Sequence, residues 1–338
     1  MRRVRIGKRA VPAAIVTLSL LLAVTLFVHA QQSPAAIALA DAEATAFVCP
    51  MHPDYTLDIA GRCPRCGMAL VRGAPFDVRD YGLELTTEPA VVRAGTPSRW
   101  RFRIFHPGTG APILKFETVH ERQYHLFVIS QDMTHFQHIH PELQADGTWA
   151  IDVTLPKPGY YKVLSDFLPA GGASQFIARP LVTAGYAGDL GGDSARLALE
   201  ASRSQTIDDL TATVSFDPSP FVAGLYGHLK FSLTDSATGR PVTDLQTYLG
   251  AFGHALIMSE DLNEYVHSHS LDVVPGGDDE DMPQFLIPPG ADLEALRGGP
   301  SVIFDGLMPK PGRYRAWTQF RRHDKIHTFV TTFDVSGP

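Results

Sequence analysis

The chain has 338 residues, 44% hydrophobic and 19% charged. This ordinary globular composition excludes a disordered or fibrous protein and leaves room for about two to three domains. Asp plus Glu number 36 against 29 Lys plus Arg, a formal net charge of −7, and so acidic a chain is a poor partner for nucleic acid, which is held by neutralising phosphates. Three cysteines are too few for a disulfide framework, and fourteen histidines are the one anomaly.

Residues 1–30 read as an export signal. Arg2, Arg3, Arg5, Lys8 and Arg9 make a basic start, Val11 to Val28 an apolar run, and Val28-His29-Ala30 a small-x-small cleavage pattern. The apolar run is also just long enough to span a bilayer, so an uncleaved N-terminal membrane anchor is the alternative. On both readings the rest of the chain is expected in the periplasm or otherwise outside the cytoplasm, where a thiol without a ligand is readily oxidised. Residues 31–46, rich in Ala with Ser33 and Pro34, read as a flexible linker.

Residues 47–72 hold all three cysteines. Cys49-Pro50-Met51-His52 is followed, ten residues on, by Cys63-Pro64-Arg65-Cys66. Two donor pairs, each with a two-residue spacer, let two turns present three thiolates and one imidazole to a single ion, the donor set of a closed tetrahedral zinc site. Gly67 permits the left-handed backbone that such a turn needs. So short a segment buries too little surface to fold alone, and a metal supplies the missing stability. A thioredoxin-like redox motif is excluded because no βαβ pattern surrounds Cys63 and Cys66. Met51 and Met68 add soft thioethers that suit monovalent copper, or else simply pack the small core. Cys49-Pro-Met-His-Pro and Gly61-Arg-Cys-Pro-Arg-Cys-Gly-Met-Ala-Leu70 resemble the heavy-metal-binding domain appended to copper-transporting ATPases and to periplasmic adaptors of metal-efflux pumps. The resemblance implies metal homeostasis or resistance, a zinc or copper ion, and a metal-efflux or copper-delivery membrane complex as partner.

From Asp80 onward the chain repeats itself. Shifted by 129 positions, Pro89 falls on Pro218, Phe102 on Phe231, Thr118 on Thr247 and Asp132 on Asp261. After an insertion of 24 residues in the second copy the shift becomes 153, and Pro156-Lys-Pro-Gly159 falls on Pro309-Lys-Pro-Gly312. Short β-branched and aromatic runs such as Trp100–Phe105, His125–Ile129 and Tyr160–Leu164 alternate with turn signals such as Pro107-Gly108 and Asp146-Gly147. The expected fold is mainly β: a small zinc-ribbon-like metal knuckle followed by two tandem immunoglobulin-like antiparallel β-sandwich repeats. The repeats are placed at 80–186 and 210–338, joined by a linker at 187–209, with an acidic loop inserted at 275–300. Helix is worth considering only at 194–202 and 291–297.

The histidines duplicate with the fold. His125, His138 and His140 recur as His254, His267 and His269. Residues two apart on a strand share a face, about 7 Å apart. A tight hairpin centred on Asp132-Met133 sets position 125 opposite 140, so the three imidazoles converge with a fourth coordination position open. Such a triad suits zinc or divalent copper, and one site in each repeat is the expectation. Candidates for a fourth ligand differ between copies: His120 and His135 occur only in the first, His323 and His327 only in the second. Asp166 aligns with Gln319, so an acidic ligand there cannot serve both copies.

The function expected from these residues is an exported, non-enzymatic metal-binding protein of the cell envelope. Two alternatives stay open: a structural or interaction module with a zinc knuckle, and a metal-dependent enzyme using an open three-His site. The Gly-x-Ser-x-Gly and P-loop patterns are absent.

Overall fold

In a computed structural model the residues described are 46–50, 52, 55–73, 80–189, 195–271, 273–274, 284–285, 287 and 291–338. The expected signal or anchor, the linker up to residue 45, Met51 and much of the acidic insertion lie outside them.

The expected fold class is the observed one: the described residues form sheets that are antiparallel but for the short parallel pairing of Phe221–Val222 with Val335–Ser336, and no helix. The cysteine segment folds around a three-stranded sheet in which Ala46–Val48 lies between Thr56–Leu57 and Val71–Gly73. The first repeat is a sandwich of two four-stranded sheets. One runs Gly82–Glu88, Ser98–Phe105, Trp149–Val153, Glu142–Leu143; the other runs Gln175–Val182, Tyr160–Phe167, Tyr124–Ser130, Phe136–Ile139. The second repeat has the same plan. Ser204–Ile207, Leu210–Asp217, Tyr226–Asp235 and Ser301–Leu307 face a sheet that includes Lys325–Ser336, Gly312–Arg322, His254–Ser259 and Tyr265–His269. Alternation along each strand fills each sandwich: Trp100, Phe102 and Ile104 point into the first core, Leu229, Phe231 and Leu233 into the second.

Two strands depart furthest from the one-face-in pattern, and they carry His125 and His254. Tyr124–Ser130 and His254–Ser259 are buried along their whole length. Tyr124, Leu126 and Val128 enter the first core, and Ala255 and Ile257 the second. The opposite faces, Phe127 and Ile129 from one strand and Leu256 and Met258 from the other, meet in a third core with Leu164 and Trp317. The two repeats therefore stack sheet on sheet, with Phe136 stacked on Trp317 at 5.1 Å.

This contact is close to two-fold symmetric. Lys162 donates to the Leu262 carbonyl, and Arg315 Nη1 donates to the Met133 carbonyl at 3.1 Å. Lys162 aligns with Arg315 and Met133 with Leu262, so each repeat makes the same bond to the other, as in an isologous dimer interface. Neither segment considered for helix forms one. Ala195 and Leu197 are instead packed into the inter-repeat core, and the Leu197 backbone is pinned by Glu260 Oε1 at 2.5 Å and Arg313 Nη1 at 2.7 Å. Around 291–297 the chain makes only a turn, with Leu296 N–H donating to Asp292 O at 3.2 Å.

Candidate metal centres

The cysteine segment brings Cys49, His52, Cys63 and Cys66 together, their donor atoms all within 4.8 Å of one another. Cys49 Sγ lies 3.6 Å from Cys66 Sγ, and Cys63 Sγ lies 3.6 Å from His52 Nδ1. Ordinary Zn–S and Zn–N bond lengths imply donor–donor edges of about 3.5–3.8 Å in a tetrahedron, so the residues fit the ion. Backbone geometry sets the second pair: Gly67 has φ +82 and its N–H donates to Cys63 O at 2.7 Å. His52 turns its other nitrogen, Nε2, to Asp305 Oδ2 of the second repeat at 3.1 Å, the carboxylate support usual behind a metal-bound imidazole.

The protonation pattern describes a pocket that wants a cation. Burial disfavours a charged His52, yet Asp305 and the sulfurs of Cys49 and Cys63 outweigh it and push its pKa up to about 12. Among the thiols, Cys49 and Cys66 hold Cys63 far below the ordinary value, while Cys49 and Cys63 hold Cys66 far above it. Without a metal, the His52 imidazolium takes the cation's place beside the Cys63 thiolate.

Met68 does not belong to this donor set. It packs against the cysteine cluster, but its Sδ lies 3.1 Å from His120 Nε2, outside the knuckle. Met51, the other methionine proposed as a donor, is outside the described residues.

The expected hairpin register is present. Leu126 pairs with Ile139 and Phe127 with His138, which carries position 125 opposite 140, and in the second repeat His254 pairs directly with His269. His125 Nδ1 lies 3.1 Å from His138 Nε2 and 3.3 Å from His140 Nε2. The sequence alone suggests one triad per repeat; the structure merges them instead. Both hairpins open onto the inter-repeat face, and their imidazoles form one continuous cluster. One close group is His125, His138 and His267; the other is His120, His254 and His269. His140 flanks the first group. The triad 254/267/269 is thus divided, because His267 crosses toward the first repeat.

The polar partners cross as well. Asp166 Oδ2 accepts from His267 Nδ1 at 2.5 Å, and Gln319 Oε1 accepts from His138 Nδ1 at 2.9 Å. Asp166 and Gln319 are aligned positions, so each repeat orients the other repeat's histidine. His125 Nε2 donates to Val119 O at 3.0 Å and His254 Nε2 to Tyr248 O at 2.7 Å, again aligned positions. Each of these four rings has one nitrogen fixed by the protein. The other nitrogen carries a lone pair, and in His254 and His267 it is buried with no protein partner; neither nitrogen of His269 has a partner either. Burial, and then repulsion from neighbouring imidazoles, lowers the pKa of His125 to about 4; burial followed by His125 and Arg122 lowers His140 to about 3. The same causes hold His120, His138, His254 and His269 well below the usual histidine value. These six rings are neutral near pH 7, the form that ligates metal.

Of the four candidates for a fourth ligand, only His120 reaches the cluster. It sits at φ +50 in a tight turn closed by Val119 and Arg122, a backbone region uncommon for histidine. His135 packs against Tyr161, while His323 and His327 face Asp209 beside Arg322, at 2.7 and 3.3 Å. Sequence reasoning missed Asp305 as a support for His52 and the crossed roles of Asp166 and Gln319. The Asp/Gln mismatch was visible in the repeat alignment; the partner of each was not.

A sequence-family model described as heavy metal binding domain matches residues 46–72, and one described as domain of unknown function (DUF8832) matches residues 77–181 and 205–337. No curated protein matches the chain. Among solved structures, the chain is similar to the Yersinia pseudotuberculosis adhesin InvE at 10% identity, over 75% of this chain and 60% of that one, with a TM-score of 0.21. It is similar to InvD of the same organism at 12% identity, over 76% and 58%, with a TM-score of 0.22. The chain thus spans under two thirds of the length of these structures.

Proposed function

The chain belongs to the DUF8832 family and is headed by a heavy metal binding domain, and from that premise we propose that it is an extracytoplasmic metal-binding protein serving copper or other heavy-metal homeostasis. Metal binding by the cysteine segment is the firm part of this reading. It is supported by the donor set Cys49, His52, Cys63 and Cys66, spaced for one tetrahedral ion and backed by Asp305. The observation that carries the reading to the repeats is the crossed support of the histidines, which leaves imidazole lone pairs turned inward among themselves. Strand-capping histidines would instead spend both nitrogens on carbonyls, hydroxyls or water.

Work outside the cytoplasm rests on the signal-like pattern of residues 1–30. The knuckle's thiolates suit zinc or monovalent copper, and the imidazoles zinc or divalent copper. Delivery to, or capture from, a membrane metal pump is the partner such a head suggests. A catalytic role has no comparable support: the groups turned to these histidines hold or orient them.

The test is elemental analysis of the full chain purified without chelator, alongside Cys49→Ser/Cys63→Ser/Cys66→Ser. Metal bound by the native chain, with one equivalent lost in the variant, is the expected result. A native chain that takes up neither zinc nor copper overturns the proposal.

A further inference from the structure

We infer that the two repeats together hold a pair of metal ions in one composite centre, each ion bound by histidines from both repeats. One ion sits among His125, His138 and His267, with His140 flanking. The other sits among His120, His254 and His269, with Met68 of the cysteine segment as its fourth donor. This rests on the metal-binding reading above and adds where the ions go and how many there are.

The partner of the group His125–His138–His267 under the repeat alignment is His254–His267–His138. A strictly symmetric interface would therefore make two overlapping groups sharing the central pair His138 and His267, whose rings are 5.8 Å apart. Two departures resolve the overlap. His120 stands where the second repeat has Leu249, and its ring stacks on His269 at 3.4 Å and meets His254 edge-on at 5.4 Å. The knuckle, present once, adds Met68 Sδ at 3.1 Å from His120 Nε2. His254 and His269 are thereby drawn into a group of their own, leaving His267 to the first repeat.

The two groups touch: His267 and His269 rings are 4.4 Å apart and those of His138 and His254 6.0 Å. A cavity of about 50 Å³ bounded by Met68, Arg122, His125, Asp166, His267 and His269 opens onto members of both, room enough for an ion and its water.

The donor sets differ in kind. Three imidazoles, one of them backed by a carboxylate, make a borderline site for Zn²⁺ or Cu²⁺. Three imidazoles and a thioether make a softer site that favours copper in either oxidation state. A centre that takes two copper ions side by side, next to a thiolate site, is therefore the assignment.

Double variants of the full chain separate this arrangement from one triad per repeat. After loading with Cu²⁺ and removal of excess, ions per chain are counted by elemental mass spectrometry, with circular dichroism and melting curves confirming folding. In the composite centre His138 and His267 serve one ion, so His138→Ala/His267→Ala loses a single equivalent, whereas His254→Ala/His267→Ala loses two. Separate triads give the reverse, two lost and then one, and overturn the inference. So does a copper count that none of these changes lowers; if the knuckle still binds its ion in that case, the metal-binding reading survives alone. Electron paramagnetic resonance gives a readout independent of fold. The native centre is expected to show dipolar broadening between neighbouring Cu²⁺ ions, replaced by one isolated axial signal in His254→Ala. Full-intensity isolated signals in the native chain contradict it.

Discussion

The knuckle and the histidine cluster gather potential metal donors from opposite ranges of sequence. Cys49, His52, Cys63 and Cys66 lie within eighteen residues, and two tight turns bring them together. The histidines run from His120 to His269, and meet only because two finished sandwiches dock through Phe127, Leu256 and Trp317. A local chelate is written in spacing; a composite one is written in packing. The first has little core and relies on its metal, while the second inherits its geometry from hydrophobic surface that is buried whether or not an ion is present.

The largest effect is expected in the knuckle. Replacing Cys63 and Cys66 by Ser removes a metal-coupled folding contribution of about 10 kcal/mol, as in structural zinc sites. Hydrogen exchange over residues 46–73 should become fast while the melting transition of the repeats moves little. Collapse of the repeats along with it would break the distinction between the two regions.

Next is the inter-repeat core. Trp317 is buried at 3% exposure and touches Phe136 of the other repeat, so Trp317→Ala should cost about 3–5 kcal/mol by urea denaturation. It should also weaken copper binding by the histidines, though no metal donor is changed. Unaltered copper affinity would mean that the cluster does not depend on the docking.

Acidification separates the regions again. His125 titrates at about 4 in the folded protein against an ordinary 6.5, so between those values the unfolded chain binds more protons. The metal-free protein should therefore lose stability as pH falls from 6.5 to 4, by about 3 kcal/mol for this residue alone, with no further loss from it below 4. Melting curves of the metal-free chain across that range check the direction. Stability that stays flat would mean that the rings are not buried together.

The smallest effect is expected where one repeat supports the other. Asp166→Ala leaves His267 without its acceptor, and loss of such a partner weakens metal binding about 10–100-fold. The knuckle's affinity should be unchanged when both are followed by competition with a chromophoric chelator.

The fold class and the duplication were legible because both are periodic: alternating apolar residues, turn signals, and a 129-residue shift that leaves the His pattern intact. The knuckle was legible because its ligands are neighbours. What sequence could not supply was the face onto which the hairpins open. His125 and Phe127 alternate out of their own core, which on a lone sandwich reads as half-exposed. Only burial on both sides of Tyr124–Ser130 reveals the second repeat as the partner. The same gap explains why the Asp166/Gln319 alignment says only that an acidic ligand cannot serve both copies, when each side chain acts on the opposite repeat, and why Met68 reads from sequence as a knuckle donor when its sulfur lies beside His120.

We propose that this chain holds metal in two kinds of place, a local thiolate knuckle and a cluster assembled between repeats. Anomalous diffraction from a copper-loaded crystal, collected on either side of the copper edge, locates each ion. One peak is expected inside the Cys49–His52–Cys63–Cys66 tetrahedron and two neighbouring peaks between the repeats, one beside His138 and His267 and one beside His120 and His254. A knuckle peak with none between the repeats, or one peak confined to each hairpin, would contradict it.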